Sequence, residues 1–385
     1  MQSPAGRTAH RFVSSSIFVR LVGFVAASAV AFACSSSSSS SGGPGASSGG
    51  AGADGGTDGS ASGGTPGTSG PPLPTTTFLY ARAVATDRDW LIARDLKSGA
   101  ERTVTDLTGD GSPGWDMAGH TLSKDRTRIA ISSLYGPTSA DTATLIATRR
   151  IWTFDTEGKD FARLTPVFKN PQLGTPGYRI DVRTPAFSAD GRAVFYTYGE
   201  GTVSQPGITR TWAVPTAAGS APPTLLDTPA ACSIASVPSV DPATGRLMLI
   251  QDICPQTPAD EGFVLVAADG KTELLGGFGG LSVNYEQPRW AADGSLFLFS
   301  AYPKNTGGAP SSLYAFVLQN KSVVEIVKGA ADQSVVDGAL SPDGNYIVYC
   351  VRNGAARNLR LLDLTKEPPV DTAMTTDGAS CHPVF

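Results

Sequence analysis

The side chains best suited to chemistry in this sequence are a small set of histidines and charged residues at the beginnings of predicted strands. The 385-residue chain has three histidines, and His10 lies in an N-terminal segment that we expect to be removed. Imidazoles and carboxylates that converge could bind a cation or a polar ligand. The alternative is that polar residues line the rims of loops and channels without binding anything. The candidate residues are Asp116, His120, Asp181, Arg183, Arg289, Asp337 and His382.

No motif of a known catalytic type accompanies these residues. The sequence lacks a G-x-S-x-G nucleophile elbow, a Walker loop and a paired-cysteine zinc motif. The glycine-rich stretch "LLGGFGGLSVN" at 274–284 follows a predicted strand but does not open a helix. We therefore predict a loop there and not a phosphate-binding turn. The sequence predicts no cofactor and no bound metal, and it favours a non-enzymatic protein.

The candidate residues lie near the starts of a repeated strand–turn–strand motif. Five stretches, such as "PAFSADGRAVFYTY" from Pro185 and "GALSPDGNYIVYC" from Gly338, combine a short strand, a turn with Asp or Gly, and a second alternating strand. A sixth copy begins at "HPVF" and stops at the chain end. The recurring apolar positions, which are 65, 53, 50, 50 and 45 residues apart, are Leu122, Phe187, Val240, Trp290, Leu340 and Phe385.

The repeat predicts a ring of antiparallel sheets. Each unit also has a second hairpin, as in "GFVLVAADGKTELLG" at 262–276, so a unit holds four strands. Units of about 50 residues with four short strands are typical of β-propeller blades. Residues 76–107 contain three strands without an opening one, and the C-terminal "SCHPVF" supplies a strand without successors. We predict an all-β fold, a six-bladed propeller over 77–385 closed by pairing of the C-terminal strand with the N-terminal blade.

The hairpin sequences resemble the TolB-like propellers, which are built from WD40-like repeats of the PD40 type. The resemblance rests on "FSADGRAVFYTY", "LSPDGNYIVYC" and "IWTFDTEGKDFARLT". In that family the Ser-x-Asp-Gly motif forms the turn between the two inner strands of a blade. The resemblance therefore implies that Asp343 is the corner of a hairpin and not a ligand. TolB itself has an α/β domain before its propeller, whereas this chain has a glycine- and serine-rich segment.

The N-terminus has the features of an export signal. Three arginines precede a 13-residue apolar run at 21–33, which is too short to span a bilayer. The following "AFAC" resembles the lipobox of bacterial lipoproteins, which implies lipidation of Cys34. It departs from that pattern at Ala31 and Phe32, and the alternative is ordinary cleavage after Ala33. In enterobacterial lipoproteins an acidic residue just after the cysteine favours retention in the inner membrane. Ser35 is not acidic, which favours the outer membrane by analogy with that family.

Residues 34–76 are predicted to be a tether. Their serine- and glycine-rich composition cannot bury a core, and as a random coil the segment would span roughly 35 Å. The sequence thus predicts three parts: a signal peptide at 1–33, a tether at 34–76 and a propeller at 77–385. We expect the chain to be held to a bacterial envelope membrane by lipid.

The remaining four cysteines suit an oxidising compartment. Cys232 and Cys254 lie at equal distances from the centre of a predicted turn, so they face each other across a hairpin. Cys350 ends a second strand and Cys381 starts the next blade's first strand. We predict the disulfides Cys232–Cys254 and Cys350–Cys381, and the alternative is four buried thiols.

Composition and charge limit the partners. The formal net charge is −4 and becomes about −7 once residues 1–33 are removed, which argues against nucleic acid. The first functional hypothesis is a tethered, non-enzymatic envelope module that recognises protein, peptide or glycan through propeller loops or the channel mouth. The second is a metal-assisted carbohydrate lyase or lactone hydrolase in which His120, His382 and nearby acids bind a divalent ion.

Overall fold

The structure is a computed structural model, and it describes most of the chain from residue 69 to the C-terminus. The described residues are 69–385 except 86–87, 106–116, 134–148, 166–177, 203–205, 218–223, 226–234, 252–261, 276–277, 279, 285, 305 and 307. Within these residues the regular structure is entirely β. No helix in this part of the chain is long and apolar enough to cross a membrane.

The strands form six antiparallel sheets, which are the blades of a propeller. Blade 1 contains β1 (Thr77–Ala85), β2 (Arg88–Asp95), β3 (Glu101–Thr105) and the C-terminal β25 (Ser380–Val384). Blade 2 contains β4 (Met117–Leu122), β5 (Arg128–Ser133), β6 (Arg150–Asp155) and β7 (Ala162–Arg163). Blade 3 contains β8 (Tyr178–Phe187), β9 (Ala193–Thr202), β10 (Pro206–Pro215) and β11 (Thr224–Leu225).

The second half of the ring repeats the same plan. Blade 4 contains β12 (Ala235–Val240), β13 (Leu247–Gln251), β14 (Gly262–Val266) and β15 (Thr272–Leu274). Blade 5 contains β16 (Leu281–Val283), β17 (Arg289–Trp290), β18 (Leu296–Pro303), β19 (Ser312–Val317) and β20 (Ser322–Val327). Blade 6 contains β21 (Ser334–Leu340), β22 (Tyr346–Asn353), β23 (Ala356–Asp363) and β24 (Val370–Ala373).

The ends of the chain close the ring as the sequence predicts. Strand β25 pairs antiparallel with β1, so the last strand of the chain is the innermost strand of the first blade. A disulfide joins Cys381 of β25 to Cys350 of β22, across the boundary between blades 1 and 6. The pairing covers the inner edge of β1, which would otherwise be free to pair with another chain.

The core lies between neighbouring blades. Blades 4 and 5 bury a shared cluster in which the ring of Phe263 lies 4.8 Å from that of Phe297 and 5.1 Å from that of Phe278. Strand residues on one face of a blade alternate with those on the other, so each blade contributes to the clusters on both sides. Burial of each such ring contributes about 1.5–3 kcal/mol, and the contribution is shared between two sheets.

Residues just before β1 belong to the folded body. Leu73, which is 7% exposed, packs into the cluster between blades 1 and 2. Its backbone NH donates to the carbonyl of Arg126, and the Arg126 side chain donates to the carbonyls of Leu73, Pro74 and Thr77. Leu73 and Pro74, which the sequence analysis assigns to the tether, therefore pack against the propeller.

One predicted loop is wrong in part. Within the glycine-rich stretch 274–284, Leu281–Val283 forms β16 and pairs with β18, with Leu281 opposite Pro303 and Val283 opposite Ala301. The preceding glycines obscure the strand signal in the sequence. In the structure the side chain of Val283 packs against blade 4. The predicted insertion at 134–150 lies outside the described residues except for 149–150, and the long connection at 167–183 is described only from 178 onward.

Candidate functional site

The innermost strands of the blades carry β-bulges at matching positions. In β25 the register shifts so that His382 and Pro383 lie opposite Tyr80 alone, and β4, β8, β12 and β21 show similar shifts. Proline cannot donate a ladder hydrogen bond, so bulges tolerate it. Three residues that precede these prolines have left-handed backbones: His382 (φ 59°), Thr184 (φ 49°) and Val237 (φ 57°). The bulges direct backbone carbonyls toward the propeller axis.

Two side chains from blade 5 bridge the axis. Gln287 Nε2 donates to the carbonyls of Pro185 and Pro238, at 2.9 and 2.7 Å. Gln287 Oε1 accepts from Arg289 Nη1 at 2.7 Å, and the same nitrogen reaches the carbonyl of His120 at 3.4 Å. These carbonyls belong to blades 2, 3 and 4. The pair Gln287 and Arg289 is therefore a cross-channel plug.

A cavity of about 390 Å³ opens on the side of the Ser-x-Asp-Gly turns. Its walls come from the innermost strands of all six blades and include the aromatic residues Phe187, Trp290 and Phe385. Its charged lining residues are Lys124, Arg126 and Arg289, and none of the described lining residues is acidic. This turn-side cavity is thus apolar at its walls and basic in charge.

Glu286, Asp337 and His382 come together on the other side of the plug. His382 Nδ1 lies 3.3 Å from Asp337 Oδ2 and 3.7 Å from Glu286 Oε2. Asp337 Oδ2 also lies 3.8 Å from Arg289 Nη2, and Asp337 Oδ1 accepts from the NH of Gly338 at 2.7 Å. The three residues come from blades 5, 6 and 1. We call them the axial triad.

The environment moves the pKa values of both histidines, in opposite directions. Burial lowers the pKa of His120 well below its ordinary value, and the charges of Arg289 and His382 lower it further. Burial acts in the same direction on His382, but its hydrogen bond to Asp337 and the charges of Glu286 and Asp337 raise the pKa of His382 above its ordinary value. At neutral pH His120 is therefore an uncharged buried ring, whereas His382 holds a proton more readily than a free imidazole.

Four of the seven candidate residues from the sequence lie together at the axis, namely His120, Arg289, Asp337 and His382. Arg183 lies on β8 with its side chain exposed, and its backbone pairs with Thr197. Asp181 is on the same strand, opposite Gly199, and only its backbone is described. Asp116 lies outside the described residues, as do Cys34, Cys232 and Cys254.

Sequence reasoning missed Glu286 and Gln287. A signal was present, because "QPRW" from Gln287 aligns with "HPVF" from His382 and "DGAL" from Asp337 in the repeat. The residues at this position of the repeat in blades 1, 5 and 6 are His382, Gln287 and Asp337, and all three lie at the axis. Aligning that single column across the six copies would have identified Gln287 beside the two residues that were predicted.

No protein-family model matches the sequence, and no curated protein matches it. Among solved structures, the chain is similar to TolB from Acinetobacter baumannii, with a TM-score of 0.56 and 16% identity over 80% of this chain and 66% of that one. It is also similar to a chain of Kuenenia stuttgartiensis hydrazine synthase, with a TM-score of 0.56 and 10% identity over 81% of this chain and 46% of that one. A chain of a nidogen/laminin complex gives a TM-score of 0.51 and 10% identity over 80% of this chain and 97% of that one.

At these identities the similarity shows the fold alone. The protein is an all-β, six-bladed propeller with TolB-like neighbours. The chain spans slightly less than two thirds of the TolB chain that it matches.

Proposed function

We propose that this protein is a non-enzymatic binding module of the bacterial cell envelope that recognises an anionic group of a protein, peptide or glycan in its turn-side cavity. The observation that carries the proposal is the charge of that cavity. Lys124, Arg126 and Arg289 line it, and none of its described lining residues is acidic, in a chain whose overall charge is negative. Aromatic walls with a few convergent polar groups are typical of binding sites.

The plug supports binding in preference to catalysis. Gln287 and Arg289 form the floor of the cavity through hydrogen bonds to carbonyls of three other blades. A ligand in the cavity therefore meets a fixed, positively charged floor and apolar walls. Preorganised groups of this kind hold a ligand at little cost in reorganisation.

The proposal includes a lipid anchor at Cys34 and an outer-membrane address, which rest on the resemblance of residues 31–34 to a lipobox. Residues 70–76 contact blades 1 and 2 on the turn side, where Thr75 also lines the cavity. The proposed tether would therefore join the propeller near the rim of the cavity. Replacing Cys34 with Ser should release the protein from the membrane fraction, and unchanged membrane association would contradict the anchor.

The test of the binding function is affinity capture from envelope extracts with the immobilised protein, followed by mass spectrometry and glycan analysis. Lys124→Glu reverses a charge at the cavity rim, and Lys271→Glu reverses one on a distant exposed turn as the matched control. We expect Lys124→Glu to reduce recovery of the specific ligand at least tenfold and Lys271→Glu to leave it unchanged. Equal recovery with both variants would refute a role for the cavity.

A metal-assisted lyase or hydrolase is the second candidate function. The axial triad favours it, because two carboxylates and an imidazole are side chains that hold catalytic metals. The plug separates the triad from the turn-side cavity, so a substrate would have to approach from the opposite end of the channel. Turnover of acidic oligosaccharides or lactones that is lost in Asp337→Asn would favour this function over the first.

A further inference from the structure

We infer that Glu286, Asp337 and His382 bind a first-row divalent cation of the Zn²⁺ type on the propeller axis. The inference goes beyond the proposed binding function and does not depend on it. The three ligand atoms lie within 4.8 Å of one another and come from three consecutive blades. A cation there would link blade 5, blade 6 and blade 1, the blade that the C-terminal strand completes.

The distances from His382 to its two carboxylate neighbours match the separation of ligands on one metal, although the contact with Asp337 is also a long hydrogen bond. A charge-assisted N–H to carboxylate hydrogen bond is about 2.7–2.9 Å long, whereas the His382 nitrogen lies 3.3 and 3.7 Å from its two carboxylate neighbours. Ligands about 2.1 Å from a tetrahedral Zn²⁺ are about 3.4 Å from each other. His382 Nδ1 has nearly this spacing from both carboxylates.

The positive charge beside the triad does not occupy it. Arg289 Nη2 is 3.8 Å from Asp337 Oδ2, beyond hydrogen-bond distance, and Arg289 Nη1 is used by Gln287 and the His120 carbonyl. Arg357 Nη1 lies 3.5 Å from His382 Nε2, at the limit of a hydrogen bond. A cation on Nδ1 leaves the ring proton on Nε2, so Arg357, an exposed side chain that can only donate, turns away from the ring.

A second observation at the same place is the unsatisfied ring of His120. This side chain is 1% exposed, and neither of its ring nitrogens makes a hydrogen bond of good geometry with the described residues, although the backbones of Leu79 and His382 lie near. Unpartnered buried polar atoms are rare and commonly mark an ion or water that belongs to the site. The charge interactions of His120 with His382 and Arg289 place it beside the triad.

The triad also meets the other requirements of a metal site. The NH of Gly338 fixes the Asp337 carboxylate by donating to its second oxygen, as outer hydrogen bonds do for metal ligands. Glu286 is 41% exposed and His382 is 24% exposed, so a cation has an access path, whereas Asp337 is only 3% exposed. Three protein ligands leave a coordination position for water or for a ligand atom.

The test is calorimetric titration of the purified, chelator-treated protein with ZnCl₂, and with MgCl₂ in parallel. We expect one saturable Zn²⁺ site per chain, with Mg²⁺ at least tenfold weaker because an imidazole ligand favours Zn²⁺. Glu286→Gln and Asp337→Asn should each lower the Zn²⁺ affinity at least tenfold. Glu286 is partly exposed, so its variant remains informative even if Asp337→Asn fails to fold.

Two matched controls complete the experiment. Asp343→Asn changes a turn carboxylate, and Glu157→Gln changes an exposed one far from the axis; both should leave the Zn²⁺ affinity unchanged. The absence of saturable Zn²⁺ binding, or equal affinity in Glu286→Gln and the unmodified protein, would overturn the inference. If Glu286→Gln loses Zn²⁺ binding but still captures the ligand, the cation site is supported and is shown to be independent of the proposed binding function.

Discussion

The side chain of Asp343 closes the turn between β21 and β22. Asp343 Oδ1 accepts from the backbone NH of Asn345 at 3.1 Å and from the hydroxyl of Ser341 at 2.6 Å, and Gly344 has a left-handed backbone (φ 70°). Asp190 repeats this arrangement with Ser188 in blade 3. These acids are therefore turn residues, as their sequence motif predicts. The candidate binding residues are those at the propeller axis.

Blade 2 departs from this pattern in one position. Arg126 stands where the other turns have glycine, and it keeps the left-handed backbone (φ 62°). A residue with a Cβ is strained there by about 1–2 kcal/mol. The three hydrogen bonds from its side chain to residues 73–77 offset this strain, because they fasten the segment that precedes the first blade.

The carboxylate of Asp95 should make the stability of the turn after β2 depend on pH in the acid range. Hydrogen bonds from the Thr76 hydroxyl and the Ser98 backbone lower its pKa to about 2. Because the folded pKa lies below the unfolded value, the stabilisation is present above pH 3.8 and is lost as the pH falls toward 2. We expect Asp95→Asn to lower the free energy of unfolding by at most about 1 kcal/mol at pH 6, since the site is solvent-screened, and by less at pH 2.5.

Urea unfolding of both proteins at the two pH values measures this difference. Asp269→Asn, in an exposed turn of blade 4, is the control, because its carboxylate makes fewer hydrogen bonds. A difference between Asp95→Asn and the parent that does not change with pH would contradict the assignment.

At the scale of elements, the blades meet through their turns as well as through side chains. The turn between β6 and β7 of blade 2 presses against β3 of blade 1, because a Cβ on Gly158 would lie 1.9 Å from the carbonyl oxygen of Val104. The equivalent turn of blade 4 has open space around Gly270. Both glycines have left-handed backbones, with φ of 77° and 80°. The two turns thus share one conformation and differ in their contact with a neighbouring blade.

This difference predicts unequal effects of one substitution. Gly270→Ala should cost about 1 kcal/mol from backbone strain alone. Gly158→Ala adds a steric overlap with blade 1, and we expect a total loss of about 3 kcal/mol or more. The comparison requires only the urea midpoints of the two variants. Equal losses would mean that blades 1 and 2 do not pack as described.

At the scale of the whole molecule, stability depends on closing the ring. Strand β25 is held by its pairing with β1, by the disulfide from Cys381 to Cys350, and by the packing of Phe385 on Phe78 with ring centroids 5.6 Å apart. Strand β25 joins blade 1 to blade 6, so losing its contacts would weaken the attachment of both blades. It also carries His382 to the axis, which makes closure a condition for the axial triad.

The disulfide gives a prediction at this scale. It closes a loop with a sequence separation of 31 residues, which corresponds to about 3–4 kcal/mol of unfolded-state entropy. The double variant Cys350→Ala with Cys381→Ala should lose about this amount in free energy of unfolding. Dithiothreitol should lower the stability of the parent by more than that of the double variant, which accounts for any effect on the other cysteines. Unchanged stability in the double variant would show that strand pairing alone holds the ring.

Local sequence signals were sufficient to predict the blades. Alternating residues and Ser-x-Asp-Gly turns act within a few residues, so they identify hairpins such as β21–β22 directly. The count of strands, three at the start and one at the end, predicted the closure through β25. The strand Leu281–Val283 was missed because its pairing with β18 lies about 20 residues away and its own residues are preceded by glycines.

The repeated turns and alternating strands were enough to predict the kind of fold and four of the residues that meet at its axis, because such a repeat permits few other arrangements. The contacts that those residues make could not be predicted in the same way. Arg289 reaches the carbonyl of His120 across 169 residues of sequence, and Glu286, Asp337 and His382 meet only because three different blades bring them to the axis. Contacts across the axis depend on the geometry of the closed ring, which no local pattern encodes.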